Sequence, residues 1–142
     1  MSVHIYQKTV FLALAALMLA SSSLSVTPVY ADSSDDFVIT VQTDNPGTSS
    51  DNEFTIPTYP GETYNYIVDC DDTGPMVGVI KTEEYTCQYG TPGTYSIRIK
   101  DDSVSGTGFP RIYFNGGGDA EKLLSIDQWG SGRWTSMEDA FH

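Results

Sequence analysis

Apolar residues recur at every second position in several short stretches of this chain. Phe37, Ile39 and Val41 are interleaved with other residues in this way, and Ile97 and Ile99 flank polar neighbours. A period of two with polar partners predicts half-buried antiparallel strands. The predicted strands lie at 37–42, 64–70, 85–89, 95–100 and 112–114, with weaker candidates at 54–56 and 77–81.

Turn-forming dipeptides separate these stretches. Pro-Gly occurs at Pro46-Gly47, at Pro60-Gly61 and at Pro92-Gly93. Proline presets the first dihedral angle of a turn, and glycine tolerates the positive φ that follows. About seven short strands joined by such turns predict an all-β fold, namely a single antiparallel β-sandwich.

The first 31 residues follow a different pattern. His4 and Lys8 give a basic start, an apolar run covers 10–20, and the segment ends at Ala31. This layout predicts a secretory signal peptide at 1–31, with a helical apolar part and cleavage after Ala31. The alternative is a retained membrane anchor, although the apolar run is shorter than the roughly 20 residues that span a bilayer.

The remaining residues divide near Asn115. We expect residues 32–115 to form the sandwich, whereas the three glycines at 116–118 predict a flexible joint. Residues 121–129 are expected to form one more short ordered segment. The spacing of Thr135 and Glu138 matches a helix capping box, so 116–142 is predicted to be a joint followed by the start of a short C-terminal helix.

The charge of the chain narrows the classes of partner. The formal net charge is −12 at pH 7, and all 19 acidic residues follow residue 31. Such a surface repels nucleic acid and anionic lipid, so we expect neither nucleic acid nor a membrane surface as a partner. No membrane span is expected once the signal peptide is cleaved. Acidity favours divalent cations or basic partners, or serves only to keep an exported monomer soluble.

Two cysteines, Cys70 and Cys87, lie on the same faces of their predicted strands as the apolar residues. An isolated pair in an exported chain usually forms a disulfide, so a bridge through the core is expected. Two buried free thiols are the alternative.

Catalysis is not expected. The only histidines are His4 and His142, so the sequence offers neither an imidazole base for a Ser or Cys nucleophile nor histidine ligands for catalytic zinc. A pair of acids could support glycoside hydrolysis, but acids are plentiful here and their presence discriminates nothing. We therefore predict a chain that is not an enzyme.

One acidic stretch resembles the start of a calcium loop. Its oxygen-bearing residues are Asp69, Asp71, Asp72 and Thr73, followed by glycine, although Ile80 replaces the bidentate glutamate that such a loop needs. A Ca²⁺ site is one hypothesis. The alternative is an acidic turn in which Asp side chains bond to nearby backbone amides, with no cofactor.

Aromatic residues offer a second hypothesis for binding. Most tyrosines fall on strand faces that the core requires. Tyr59, Tyr113 and Trp129 do not, and they are candidates for a platform on which sugar rings stack. An ordinary role in the core is the alternative.

Two stretches carry a family resemblance. The segment at 64–71 and the Tyr-Gly-Thr-Pro-Gly-Thr-Tyr-Ser-Ile run at 89–97 resemble a PKD-type immunoglobulin-like domain. Together with the segments 43–48, 109–115 and 124–130, they resemble the N-terminal region of BspA-type leucine-rich-repeat surface proteins. In that family, residues 134–141 look like the opening of the first repeat.

The resemblance implies a PKD-like sandwich that precedes a repeat array on the cell surface, in a context of adhesion or protein interaction. The array itself is missing from this sequence, so 116–142 would be a joint and the start of a truncated repeat region. The expected function is that of a secreted or cell-surface, non-enzymatic spacer module. The alternative is a stand-alone module, calcium-dependent or not, that binds an unknown surface protein or glycan.

Overall fold

The computed structural model describes residues 29–30, 32–73 and 76–141. The predicted helical part of the signal peptide, and residue 142, lie outside these ranges. The described residues form eight strands and one short 3₁₀ turn. Their bounds are β1 Val29–Tyr30, β2 Phe37–Gln42, β3 Glu53–Ile56, β4 Tyr66–Asp69, β5 Met76–Val77, β6 Tyr85–Gln88, β7 Thr94–Asp101, the 3₁₀ turn Ala120–Lys122 and β8 Leu123–Gln128.

The main sheet has four antiparallel strands in the order β4-β7-β2-β8. In the β2·β7 ladder, Ile39 lies opposite Ile97 and Phe37 lies opposite Ile99. All four side chains are buried in one apolar cluster. The predicted alternation of these two strands is therefore confirmed, because the alternating apolar side chains of each strand point into the core.

A second antiparallel pair, β3 and β6, supplies more of the same cluster. Phe54 lies opposite Cys87, and both side chains are fully buried. Cys87 forms a disulfide with Cys70, which directly follows β4, so the predicted bridge is confirmed. The bridge joins the four-stranded sheet to the β3·β6 pair, and the all-β, sandwich-like class is confirmed with it.

The main sheet extends beyond the boundary that the sequence suggested at Asn115. Strand β8 falls in the segment 121–129, which was expected to be ordered but to lie beyond the sandwich, and it pairs with β2. The glycines at 116–118 form a turn in which the Gly118 carbonyl accepts a hydrogen bond from Thr48 N at 3.1 Å. The chain therefore returns to the sheet after this turn.

The predicted strand at 112–114 is wrong, because this segment pairs with no strand among the described residues. Ile112 and Phe114 are buried, but the main hydrogen bond of the segment runs from Phe114 N to Asp139 O, at 3.1 Å. The predicted C-terminal helix start is also wrong for the described residues up to 141, which contain no α-helix. The hydroxyl of Thr135 donates to Glu62 at 2.7 Å rather than capping a helix.

The candidate strand at 77–81 is replaced by a shorter pairing. Val77 pairs with Val29, and Met76 pairs with Tyr30. Since β1 lies upstream of the predicted cleavage after Ala31, a chain processed at that bond would lack this two-residue ladder. Lys81 instead forms an isolated bridge with Tyr66, on the outer side of β4.

A buried ion pair holds the turn that precedes β8. Lys122 is 1% exposed, and its Nζ donates to the carbonyls of Ser49, Ser50 and Glu53 at 3.1, 2.8 and 3.0 Å. Asp119 lies 4.0 Å from the same Nζ. A buried charge is tolerated when it is paired and fully hydrogen-bonded, so this cluster fixes the loop after β2 against the 3₁₀ turn.

Candidate functional site

The structure brings two of the three aromatic candidates together around an arginine. The rings of Tyr59 and Tyr113 meet edge to face, with centroids 4.9 Å apart. The guanidinium carbon of Arg111 lies 4.2 Å from the Tyr59 centroid and 4.7 Å from the Tyr113 centroid. Both distances are within the range of cation–π attraction.

Arg111, which the sequence pattern did not single out, organises this cluster. It is only 6% exposed, and it donates to the Glu138 carbonyl at 2.7 Å. The alternation along 109–114 holds a signal that could have found it, since Arg111 and Tyr113 share the parity opposite to Ile112 and Phe114.

A surface groove of approximately 410 Å³ borders Tyr59. Tyr64 lines it from inside, accepting a hydrogen bond from Tyr59 N and donating to Arg111 O, each at 2.8 Å. Burial raises the pKa of Tyr64, and the bond from Tyr59 offsets only part of this, so the phenol stays protonated as a donor. The acidic side of the groove is formed by Glu62, Glu83 and Glu84.

The groove therefore combines the rings of Tyr59 and Tyr64 with several carboxylates. Aromatic rings stack on the apolar faces of sugars or on cations, and carboxylates accept hydrogen bonds from hydroxyl, ammonium or guanidinium groups. This arrangement can bind a polar or cationic ligand.

Trp129 lies in a different aromatic cluster. Its ring contacts Phe37, Trp134 and Phe141, with centroids 5.9, 5.8 and 6.1 Å away. These contacts include neither Tyr59 nor Tyr113. The three predicted binding residues therefore do not form a single stacking platform, although Trp129 remains 47% exposed.

The acidic stretch after β4 is a hydrogen-bonded turn. Asp69 accepts a bond from Asp71 N at 3.3 Å, and Asp71 accepts one from the Thr73 hydroxyl at 2.9 Å. The carboxylate of Asp72 lies 2.6 Å from Nε of Arg98. Burial raises the pKa of Asp69, an effect that hydrogen bonds from backbone amides partly oppose.

The bonds from backbone amides to Asp69 and Asp71 are those expected of the acidic-turn alternative, and Arg98 donates to both carboxylate oxygens of Asp72. Within residues 32–73 and 76–141, no three His, Cys, Asp or Glu side chains are grouped so that they could hold a metal ion.

Two further observations bear on how this chain is classified. Among the described residues, no helix is both long enough and apolar enough to cross a bilayer. No protein-family model, curated protein or solved structure matches this chain.

Proposed function

We propose that this chain is an exported, non-enzymatic structural module that acts as a spacer in a cell-surface protein. The observation that carries the proposal is the Cys70–Cys87 disulfide, which joins the two sheets of the sandwich. A bridge of this kind persists in oxidising compartments, which agrees with the signal-peptide layout of 1–31. The PKD-like, immunoglobulin-like assignment belongs to the same proposal and rests on the motifs at 64–71 and 89–97.

The charged groups of the described residues support a structural role. Arg98 pairs with Asp36 and Asp72, Lys100 pairs with Asp36, and Lys122 is bonded to buried carbonyls. These side chains hold strands and loops together. A module whose charged side chains link its strands and loops in this way resists deformation. A spacer requires such rigidity.

Export is tested by expressing the chain from Met1 in a secreting bacterial host. We expect intact mass and N-terminal sequencing of the product outside the cytoplasm to show a chain that starts at Asp32 and carries one disulfide. A product that stays in the cytoplasm and begins at Met1 would refute the export part of the proposal.

The spacer role is tested by single-molecule force spectroscopy on the module held between two well-characterised domains. The cysteines are 17 residues apart, so an intact bridge should shorten the unfolded contour by roughly 60 Å relative to a Cys70→Ala/Cys87→Ala variant. Equal contour lengths, or unfolding at negligible force with the bridge intact, would contradict a mechanical role.

The groove beside Tyr59 favours a second candidate function, a module that binds a glycan or a protein. It is tested on a glycan array, with Tyr59→Ala as the variant and Trp129→Ala as the control. Because only Tyr59 borders the groove, binding should be lost in the first variant and kept in the second. Binding that depends on Trp129 alone would place the ligand elsewhere.

A further inference from the structure

The two edges of the main sheet differ in how they are covered. On the outer side of β4, Tyr66 N donates to Lys81 O at 3.1 Å, and Lys81 N donates to Tyr66 O at 2.7 Å. On the other edge, within the part of the chain that the structure describes, β8 pairs with β2 alone. Proteins usually block an open edge with a cover, a lysine or a proline, and the six residues of β8 include neither of these side chains.

Two bulges turn side chains of β8 outward. The register with β2 shifts twice, so that Leu124 and Asp127 are the extra residues on β8. A bulge leaves its extra residue unpaired and bends the strand. Leu124 is 54% exposed, whereas Leu123 and Ile126 of the same strand pack against the core.

Leu124 borders an apolar groove. The groove has a volume of approximately 310 Å³, at the lower end of the range of about 300–1,000 Å³ that is typical of ligand sites. Phe141 lies on its rim and is 41% exposed. The apolar lining consists of Phe114, Ala120, Leu123, Leu124, Ile126 and Phe141.

The charge presented beside this groove is negative. Glu121, two residues before β8, and Asp127, its next-to-last residue, are both exposed, whereas Lys122 is buried. The Asp127 carboxylate accepts hydrogen bonds from the hydroxyls of Thr40 and Ser125 and keeps its negative charge at the surface. The whole chain carries −12, which reinforces the local sign. A second copy of the chain would bring the same acidic groups to the contact and be repelled.

We propose that the β8 groove, defined by these six lining residues, binds an apolar side chain from an extended segment of a partner protein, with Lys or Arg on both sides of that side chain. The apolar side chain fills the groove, and the basic residues pair with Glu121 and Asp127. The bulges restrict regular strand addition along β8, so the groove and the charges supply the specificity.

The test compares two synthetic peptides, Lys-Lys-Val-Leu-Val-Lys-Lys and its counterpart with Glu in place of every Lys. We expect isothermal titration calorimetry at low salt to show at least tenfold tighter binding of the lysine peptide, and the difference should shrink in high salt. Amide chemical-shift changes in the unmodified protein should centre on Leu124–Ile126. Equal affinities, or shifts centred on the groove beside Tyr59, would overturn the proposal.

Substitutions provide the matched control. Leu124→Ser should weaken binding of the lysine peptide about tenfold, whereas Val104→Ser, at a fully exposed position in a distant loop, should leave it unchanged. Circular dichroism verifies that both variants are folded. The proposal would also be overturned if neither peptide bound. A dimer seen by sedimentation equilibrium and abolished by Leu124→Ser would overturn it in favour of self-association.

Discussion

Replacing Lys122 by methionine tests whether the buried ion pair stabilises the fold. Methionine has a similar length and flexibility but carries neither a charge nor a hydrogen-bond donor. The substitution therefore removes the four hydrogen bonds that Nζ donates, three to carbonyls and one to the Ser49 hydroxyl at 2.8 Å. The aliphatic part of the side chain is preserved.

The expected loss of stability follows from what the substitution leaves behind. Removing one partner of a buried pair costs about 3–5 kcal/mol, because the other charge stays buried. Asp119 keeps its bonds from Thr48 N, Ser49 N and Thr55 N at 2.9, 2.9 and 2.7 Å, which reduces the loss. We therefore expect the free energy of unfolding to fall by about 3–4 kcal/mol, at the low end of that range.

Urea unfolding followed by tryptophan fluorescence measures this loss. With a slope of about 1.5 kcal/mol per molar urea, the midpoint should fall by roughly 2 M. Arg133→Met, which removes an exposed cation, is the control and should change the stability by no more than about 0.5 kcal/mol. The double variant Asp119→Asn/Lys122→Met should lose less than the sum of the single variants, because the two groups share one network.

A small effect would refute this reasoning. If Lys122→Met lowered the free energy of unfolding by less than about 1 kcal/mol, Nζ would have to reach solvent in the folded state. The turn before β8 would then be held by its apolar contacts instead.

Three further predictions follow from the same structure. A Cβ at Gly47 would lie 2.6 Å from both Asp119 Oδ1 and Lys122 Cε. Gly47→Ala should therefore lower the free energy of unfolding, measured in urea, by about 1–3 kcal/mol. An unchanged free energy would contradict this packing. Burial alone would raise the pKa of Asp119, but hydrogen bonds from Ser49 and Thr55 and the charge of Lys122 outweigh it and lower the pKa. The stability that this carboxylate contributes is therefore present above about pH 4 and is lost as the pH falls through its lowered pKa. Asp119→Asn should make Tm depend less steeply on pH in the acid range. An unchanged dependence would argue against the lowered pKa. Millimolar calcium should leave Tm unchanged, because Asp72 is paired with Arg98. A rise in Tm of several degrees would support the calcium hypothesis.

The sequence predicted the elements whose alternation is regular. Strands β2 and β7 keep a period of two because neither is bulged in the ladder between them. The disulfide was also predictable, since Cys87 shares the apolar parity of β6 and Cys70 that of the strand region it follows. In these elements, local pattern and tertiary burial agree.

The remaining elements depend on contacts that local pattern does not show. The bulges at Leu124 and Asp127 break the period of two in β8, so its place beside β2 was missed. The segment around Ile112 has the right alternation but no neighbouring strand to pair with. The carbonyl partners of Lys122 lie in the loop after β2 and at the start of β3, far away in sequence, and a lone lysine carries no signal of burial.

The order of strands has a consequence for the export that we propose. Strand β2 lies between β7 and β8, whose pairing residues follow it by about 50 to 90 positions. Contacts of such range form late, so the N-terminal half of an exported chain would emerge as an unpaired, threadable polypeptide. The central sheet would close only after residues near Gln128 had crossed the membrane, which delays compaction until transport is nearly complete.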